Sequence, residues 1–134
     1  MQRWGWSMDA DTLEGILQQA WCRESSTDPE HWTPENPAWG QCAVTACVAQ
    51  DYLGGRIVWA DATTPDGAKY SHYFNNIEGK EIDLTRRQFA QGTLIPAGID
   101  KAKNFPTTRH YVLSFPATQE RYLLLKDRVE GILS

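Results

Sequence analysis

The spacing of apolar residues changes character at Gly54-Gly55, and no other feature of the chain restricts its fold as tightly. Upstream, two segments repeat every three to four residues. In residues 9–22 the repeating positions are Leu13, Ile16, Leu17, Ala20 and Trp21, with Asp9 or Asp11 available as the cap. From Gln41 onward they are Val44, Cys47, Val48 and Tyr52. Both segments predict helices, the second halted by the glycine pair. Downstream the period falls to two. Residues 56–62 and 69–75 read as strands, and residues 80–85 as a third, after a turn containing Asn76 and Gly79. Hairpin-joined strands after a helix predict an α+β fold in which that helix packs on a small antiparallel sheet.

Between the two helices, Pro29, Pro34 and Pro37, with Ser25, Ser26, Asp28 and Asn36, exclude regular structure over residues 23–39. Ordered loops of that length often carry function. Beyond Arg86, the residues Gly92, Pro96, Gly98 and Pro106 break the chain into turns. Residues 110–115 read as a last strand, and Thr118 as the cap of a final helix whose Tyr122, Leu125, Val129, Ile132 and Leu133 fall largely on one face. The expected order is helix, loop, helix, strands, helix, in a single domain over residues 1–134. A chain of this length buries roughly 65–70% of its unfolded surface without help from a metal or disulfide.

A net charge of −4 supplies no broad cationic surface for phosphates, which argues against nucleic acid and anionic membranes as partners. A small-molecule, peptide or protein substrate is expected instead; the sequence carries no signal for an oligomeric state. The first nine residues contain no apolar run and no later stretch is long enough to span a bilayer, so the expected location is cytoplasmic. Cys22, Cys42 and Cys47 cannot all pair and form no Cys-x-x-Cys element, so they predict neither a disulfide framework nor a cysteine-only zinc site. Cys22 and Cys47 read as core residues.

Cys42 is different, because it falls in the first turn of the second helix. There, unpaired backbone N–H groups and the helix dipole favour a thiolate over a thiol and can also stabilise an oxyanion. The base must come from elsewhere in the chain. His72 lies in the second strand and Asp83 in the third, and a two-residue loop at Ile77-Glu78, or a four-residue loop over 76–79, would set them directly opposite one another. In that arrangement the carboxylate holds the imidazole's tautomer. Asn75 is the alternative orienting residue, and His110 the reserve base; His31 reads as solvated. Gln41 is a candidate oxyanion donor beside the safer Cys42 backbone N–H, and Trp39 a candidate pocket wall. Cys42, His72 and Asp83 are also metal-ligand types, but no paired-ligand motif accompanies them, so no metal and no cofactor are expected.

The same residues carry a resemblance. Gly40-Gln41-Cys42-Ala43-Val44-Thr45-Ala46 resembles the nucleophile motif of transglutaminases, and His72-Tyr73-Phe74-Asn75 with Ile82-Asp83-Leu84-Thr85 resembles that family's histidine and aspartate segments in the same order. More closely, the pattern from Trp32 through Asn36, Pro37, Gly40-Gln41-Cys42, Asp51-Tyr52 and Gly54-Gly55 to Ser71-His72-Tyr73 and Ile82-Asp83-Leu84-Thr85 resembles the small bacterial YunG-like proteins. The wider resemblance implies a papain-like, transglutaminase-core-like fold with a Cys-His-Asp triad. Ala43 and Phe74 stand where transglutaminases commonly have tryptophan, and the spacing from Cys42 to Asp83 is much shorter. Transglutaminase substrate specificity therefore does not carry over.

Two functions follow as expectations. In the first, Cys42 attacks an amide or ester carbonyl and forms a thioester, which water or an amine then resolves, giving a hydrolase (amidase, peptidase or deamidase) or an acyltransferase. In the second, the same fold is a non-catalytic binding module whose recognition surface is the tryptophan-bearing loop from Trp32 to Trp39.

Overall fold

A computed structural model describes residues 8–134. Its sheet consists of β1 (Arg56–Thr63), β2 (Lys69–Ile77) and β3 (Lys80–Ile82), antiparallel and in that order. Alternation along the strands splits the buried side chains between two faces. Ile57, Tyr73 and Asn75 share the face toward α2 (Cys42–Leu53), where Asn75 Nδ2 donates to the Ala46 carbonyl at 3.0 Å. Val58, Ala60 and Phe74 share the opposite face and form a smaller cluster with Ile95. His72, which pairs with Ala60, belongs by register to that second face.

The β2–β3 turn is Glu78-Gly79, one residue later than expected. Ile77 pairs with Lys80, Asn76 with Glu81 and Asn75 with Ile82. Both turn residues have positive φ, 54° and 85°, the requirement of a type I′ turn, and Asn76 Oδ1 accepts the Gly79 N–H at 3.0 Å. His72 and Asp83 are therefore not directly opposed: continued past Ile82, this register would bring Asp83 opposite Phe74. A slip of two residues preserves the face, so Asp83 becomes a diagonal neighbour of His72. The third strand itself stops at Ile82, short of Thr85.

α2 is central. Its residues from Val44 through Ala49 are all buried, and it packs against β2, β1, α1 (Ala10–Ala20) and α4 (Pro116–Leu133). A helix apolar on every side belongs inside a domain, and the one-sided pattern in the sequence understates this burial. α1 begins at Asp9, whose side chain accepts the Thr12 N–H at 2.8 Å, and buries Leu13, Leu17 and Ala20. Each such fully buried leucine contributes about 1.5–3 kcal/mol relative to exposure.

Two expectations in the C-terminal third are corrected. Residues 110–115 are not a strand. Thr108–Leu113 form helix α3, capped by Thr107, which accepts the His110 N–H, and burying Thr108 and Val112 one turn apart. Thr118 does not cap the last helix: α4 starts at Pro116, with Phe115 as N-cap, because proline suits a helix's first position. The turn-rich segment before α3 is also more ordered than its composition suggests. Leu94 and Ile99 make antiparallel bridges to Thr63 and Trp59, covering the free edge of β1. Gly98 is required there, since a Cβ would lie 2.3 Å from Val58 Cγ2. Among the described residues no helix is long and apolar enough to cross a membrane. The expectation for the N-terminus falls almost wholly on residues 1–7, outside the described part.

Candidate active site

The loop ahead of α2 is held by its own polar side chains. Thr27 N–H donates to the Gly40 carbonyl at 2.9 Å, and Ser26 Oγ to the Trp39 carbonyl at 2.7 Å. Gly40 sits at φ 73°, and a Cβ there would come within 2.3 Å of Ser26 Oγ, so only glycine permits this approach. Gln88 clamps the loop from the other side, accepting from Gly40 N–H with its side chain and from Asn36 Nδ2 with its carbonyl, both at 3.1 Å. The result delivers Cys42 as the first residue of α2, and Gln41, at the N-cap, makes no side-chain capping bond.

His72 is fully buried. Its Nε2 lies 2.7 Å from Asp83 Oδ2, and the other Asp83 oxygen accepts the Thr85 N–H at 3.3 Å, which fixes the carboxylate. The imidazole stacks on Phe74 at 5.4 Å and meets Phe89 edge-on at 5.1 Å. Its Nδ1 has no hydrogen bond within ordinary limits, and the Cys42 side chain is the neighbour that acts on the ring. Burial alone would lower the imidazole's pKa, but the Asp83 hydrogen bond and Cys42 outweigh it and push the value up to about 9. His72 is accordingly an imidazolium at neutral pH. Cys42 Sγ lies 4.0 Å from the Ser71 carbonyl oxygen and remains partly exposed.

Cys42 opens into a cleft of about 310 Å³ whose walls include Ser71, Tyr73, Lys101, Tyr111 and Arg121. Three sequence candidates bond elsewhere. Gln41 is fully buried, its Nε2 donating to the Cys22 carbonyl and its Oε1 accepting from Ser25 Oγ. Trp39 donates to Asp28 Oδ2 at 3.0 Å and packs edge-on against Tyr70. Asn75 is spent on α2, which leaves Asp83 as the group on His72. His110 is exposed on α3, with Nδ1 2.7 Å from Thr107 Oγ1, and His31 is exposed beside Asp28. Phe89, Tyr111 and Arg121 were not singled out by sequence. Phe89 and Tyr111 sit at or in short elements that the sequence did not show, and Arg121 lies on the expected final helix but off its apolar face; only the fold brings them to the site.

The other end of α2 holds a second polar group. Asp51 pairs with Arg109 at 3.0 Å and with Lys126 at 2.9 Å and accepts from Tyr122, while Arg109 also donates to the Cys47 carbonyl and Gln50 Oε1. The buried Cys47 thiol is pushed up to about 12 by desolvation. Among the described residues, no three His, Cys, Asp or Glu are grouped to hold a metal.

Comparison with known proteins adds a family. The family model described as "YunG protein" matches residues 9–134. A Bacillus subtilis (strain 168) relative, described as "Uncharacterized protein YunG", is 45% identical over 74 residues, which is 55% of this chain and 57% of the relative's own length. No solved structure matches the chain.

Proposed function

The chain belongs to the YunG family, and from the geometry of its site we propose a cysteine enzyme of papain-like type that attacks an amide or ester carbonyl through a thioester. The observation that carries the reading is the 2.7 Å contact between His72 Nε2 and Asp83 Oδ2, made by an imidazole on which Cys42 also acts. In this reading Cys42 at the start of α2 is the nucleophile, His72 of β2 the base, and Asp83, just past the end of β3, the orienting carboxylate. Three free thiols suit a reducing, cytoplasmic setting.

The steps follow from charge. The reacting form pairs a Cys42 thiolate with the His72 imidazolium, and from that form attack needs no further proton transfer. The Cys42 sulfur bonds to the carbonyl carbon, and the developing oxyanion takes the Cys42 backbone N–H. As the C–N or C–O bond breaks, His72 gives its proton to the departing amine or alcohol. Water or an amine then attacks the thioester with the neutral His72 as base, releasing acid or amide and restoring the pair. Asp83 steadies the ring throughout.

The test is the rate of iodoacetamide labelling at Cys42 against pH. Labelling should be fast at pH 6.5 and slowed there by His72→Ala; a rate that rises only near pH 8.5, as for a free thiol, would sink the reading. Intact mass after incubation with amides and esters should reveal an acyl adduct that Cys42→Ala lacks. The tryptophan loop gives a binding-module reading no support, since Trp32 and Trp39 both donate their indole N–H groups within the loop itself.

A further inference from the structure

The cleft beside Cys42 has a charge character opposite to that of the chain. Acidic residues outnumber basic ones by 17 to 13, yet the cleft is lined by Lys101 and Arg121 and by no aspartate or glutamate. Lys101 has company, its ammonium lying 4.0 Å from the centroid of the Trp59 ring. Arg121 has only hydroxyls: one terminal nitrogen donates to Thr118 Oγ1 at 3.1 Å and to Thr27 Oγ1 at 3.4 Å. Its Nε is buried without any hydrogen-bond partner, and among the described residues no carboxylate lies within ion-pair distance. Burial pulls its pKa below the ordinary guanidinium value, the mark of a charge the protein leaves uncompensated.

We infer that the acyl donor carries a carboxylate near its reacting carbonyl, and that Arg121, with the Thr27 and Thr118 hydroxyls, is the group that binds it. The inference rests on the proposed role of Cys42 and narrows it to anionic substrates. A guanidinium fork matches a carboxylate in geometry and charge. Each threonine oxygen accepts from Arg121 and so keeps its own O–H to donate to the same anion. Tyr111 and Phe115, packed edge-on at 5.4 Å on the cleft wall, give the rest of the donor an apolar surface.

Two alkylating reagents that differ only in charge test this without a known substrate. In each, the Cys42 sulfur displaces iodide from carbon. Iodoacetate should label the native protein at least as fast as iodoacetamide at pH 7 and low salt. Arg121→Gln should slow iodoacetate about tenfold or more and iodoacetamide less than about twofold, the size of one charge-assisted hydrogen bond. Arg121→Lys should fall between. Thr118→Val, a milder change, should lower the same ratio should Arg121→Gln prove misfolded by circular dichroism. An unchanged ratio in both variants overturns the inference. Slow iodoacetamide labelling of the native protein at pH 6.5 overturns the nucleophile reading instead, so the two failures are distinct. Protection of Cys42 then identifies the source of the carboxylate. Shielding by a short peptide but not by its C-terminal amide assigns a peptide terminus, shielding by benzoate alone assigns a small acid, and shielding by neither overturns the site.

Discussion

The two ends of α2 are built on opposite plans. At the C-terminal end every strong charge is answered: Arg109 and Lys126 share Asp51, Tyr122 joins them, and Arg109 also takes up the Cys47 carbonyl. At the N-terminal end Cys42, Lys101 and Arg121 line a cleft that no aspartate or glutamate lines, and the cationic His72 is buried beside Cys42. Cations at a helix C-terminus complement its dipole and stabilise the fold, whereas cations beside an N-terminus work against it. Under the proposed function that unfavourable arrangement serves chemistry, and local rules fail mostly at such places.

The difference can be broken most strongly at His72. Its replacement by alanine should lower the rate of Cys42 acylation at least ~10²-fold, read as single-turnover adduct formation by intact mass, while Arg109→Gln leaves that rate within about twofold. Equal losses in the two variants would erase the distinction. The two cysteines of the helix offer the next contrast. At pH 6.5 iodoacetamide should modify Cys42 about 10²-fold faster than the buried Cys47, whose thiol lies near 12, as peptide mass spectrometry can resolve. Comparable labelling of both in the folded protein would contradict the burial described.

Arg109→Gln sharpens the structural end. The Arg109 and Asp51 side chains are only 25% and 21% exposed, so the loss should be about 1–2 kcal/mol, seen as a lower urea midpoint at unchanged slope. The last contrast is a dependence on pH. His72's folded value of about 9 exceeds its ordinary 6.5, so its contribution to stability is complete below pH 6.5 and is lost as pH rises through 9. The native protein should therefore lose stability over that window relative to His72→Gln, by no more than about 1.4 kcal/mol per pH unit.

Those contrasts were unevenly legible in the sequence. α1 and α2 were readable because Asp9 caps the first and Gly54-Gly55 stops the second. The meeting of His72 with Asp83 was readable in parity but not in register. Glu78, a non-glycine residue at positive φ, took the first turn position and moved the pairing by two. α3 is six residues long, too short for a helical period to outweigh its strand-favouring Tyr111 and Val112. Gln41 shows a different limit: adjacency to Cys42 says nothing about where an amide points, and here it ties the loop to Cys22 and Ser25. Arg121 was invisible for a simpler reason, since Thr27 lies 94 residues away and only folding reveals that no acid comes near.

The aromatic setting of His72 has a use of its own. Ring currents from the stacked Phe74 and the perpendicular Phe89 should displace the imidazole's carbon-bound proton resonances from those of the exposed His31 and His110. The ring beside Cys42 can thus be watched in a one-dimensional proton spectrum, unlabelled and undisturbed, as pH or a ligand changes. The molecule carries its own indicator at the one position where an indicator is wanted.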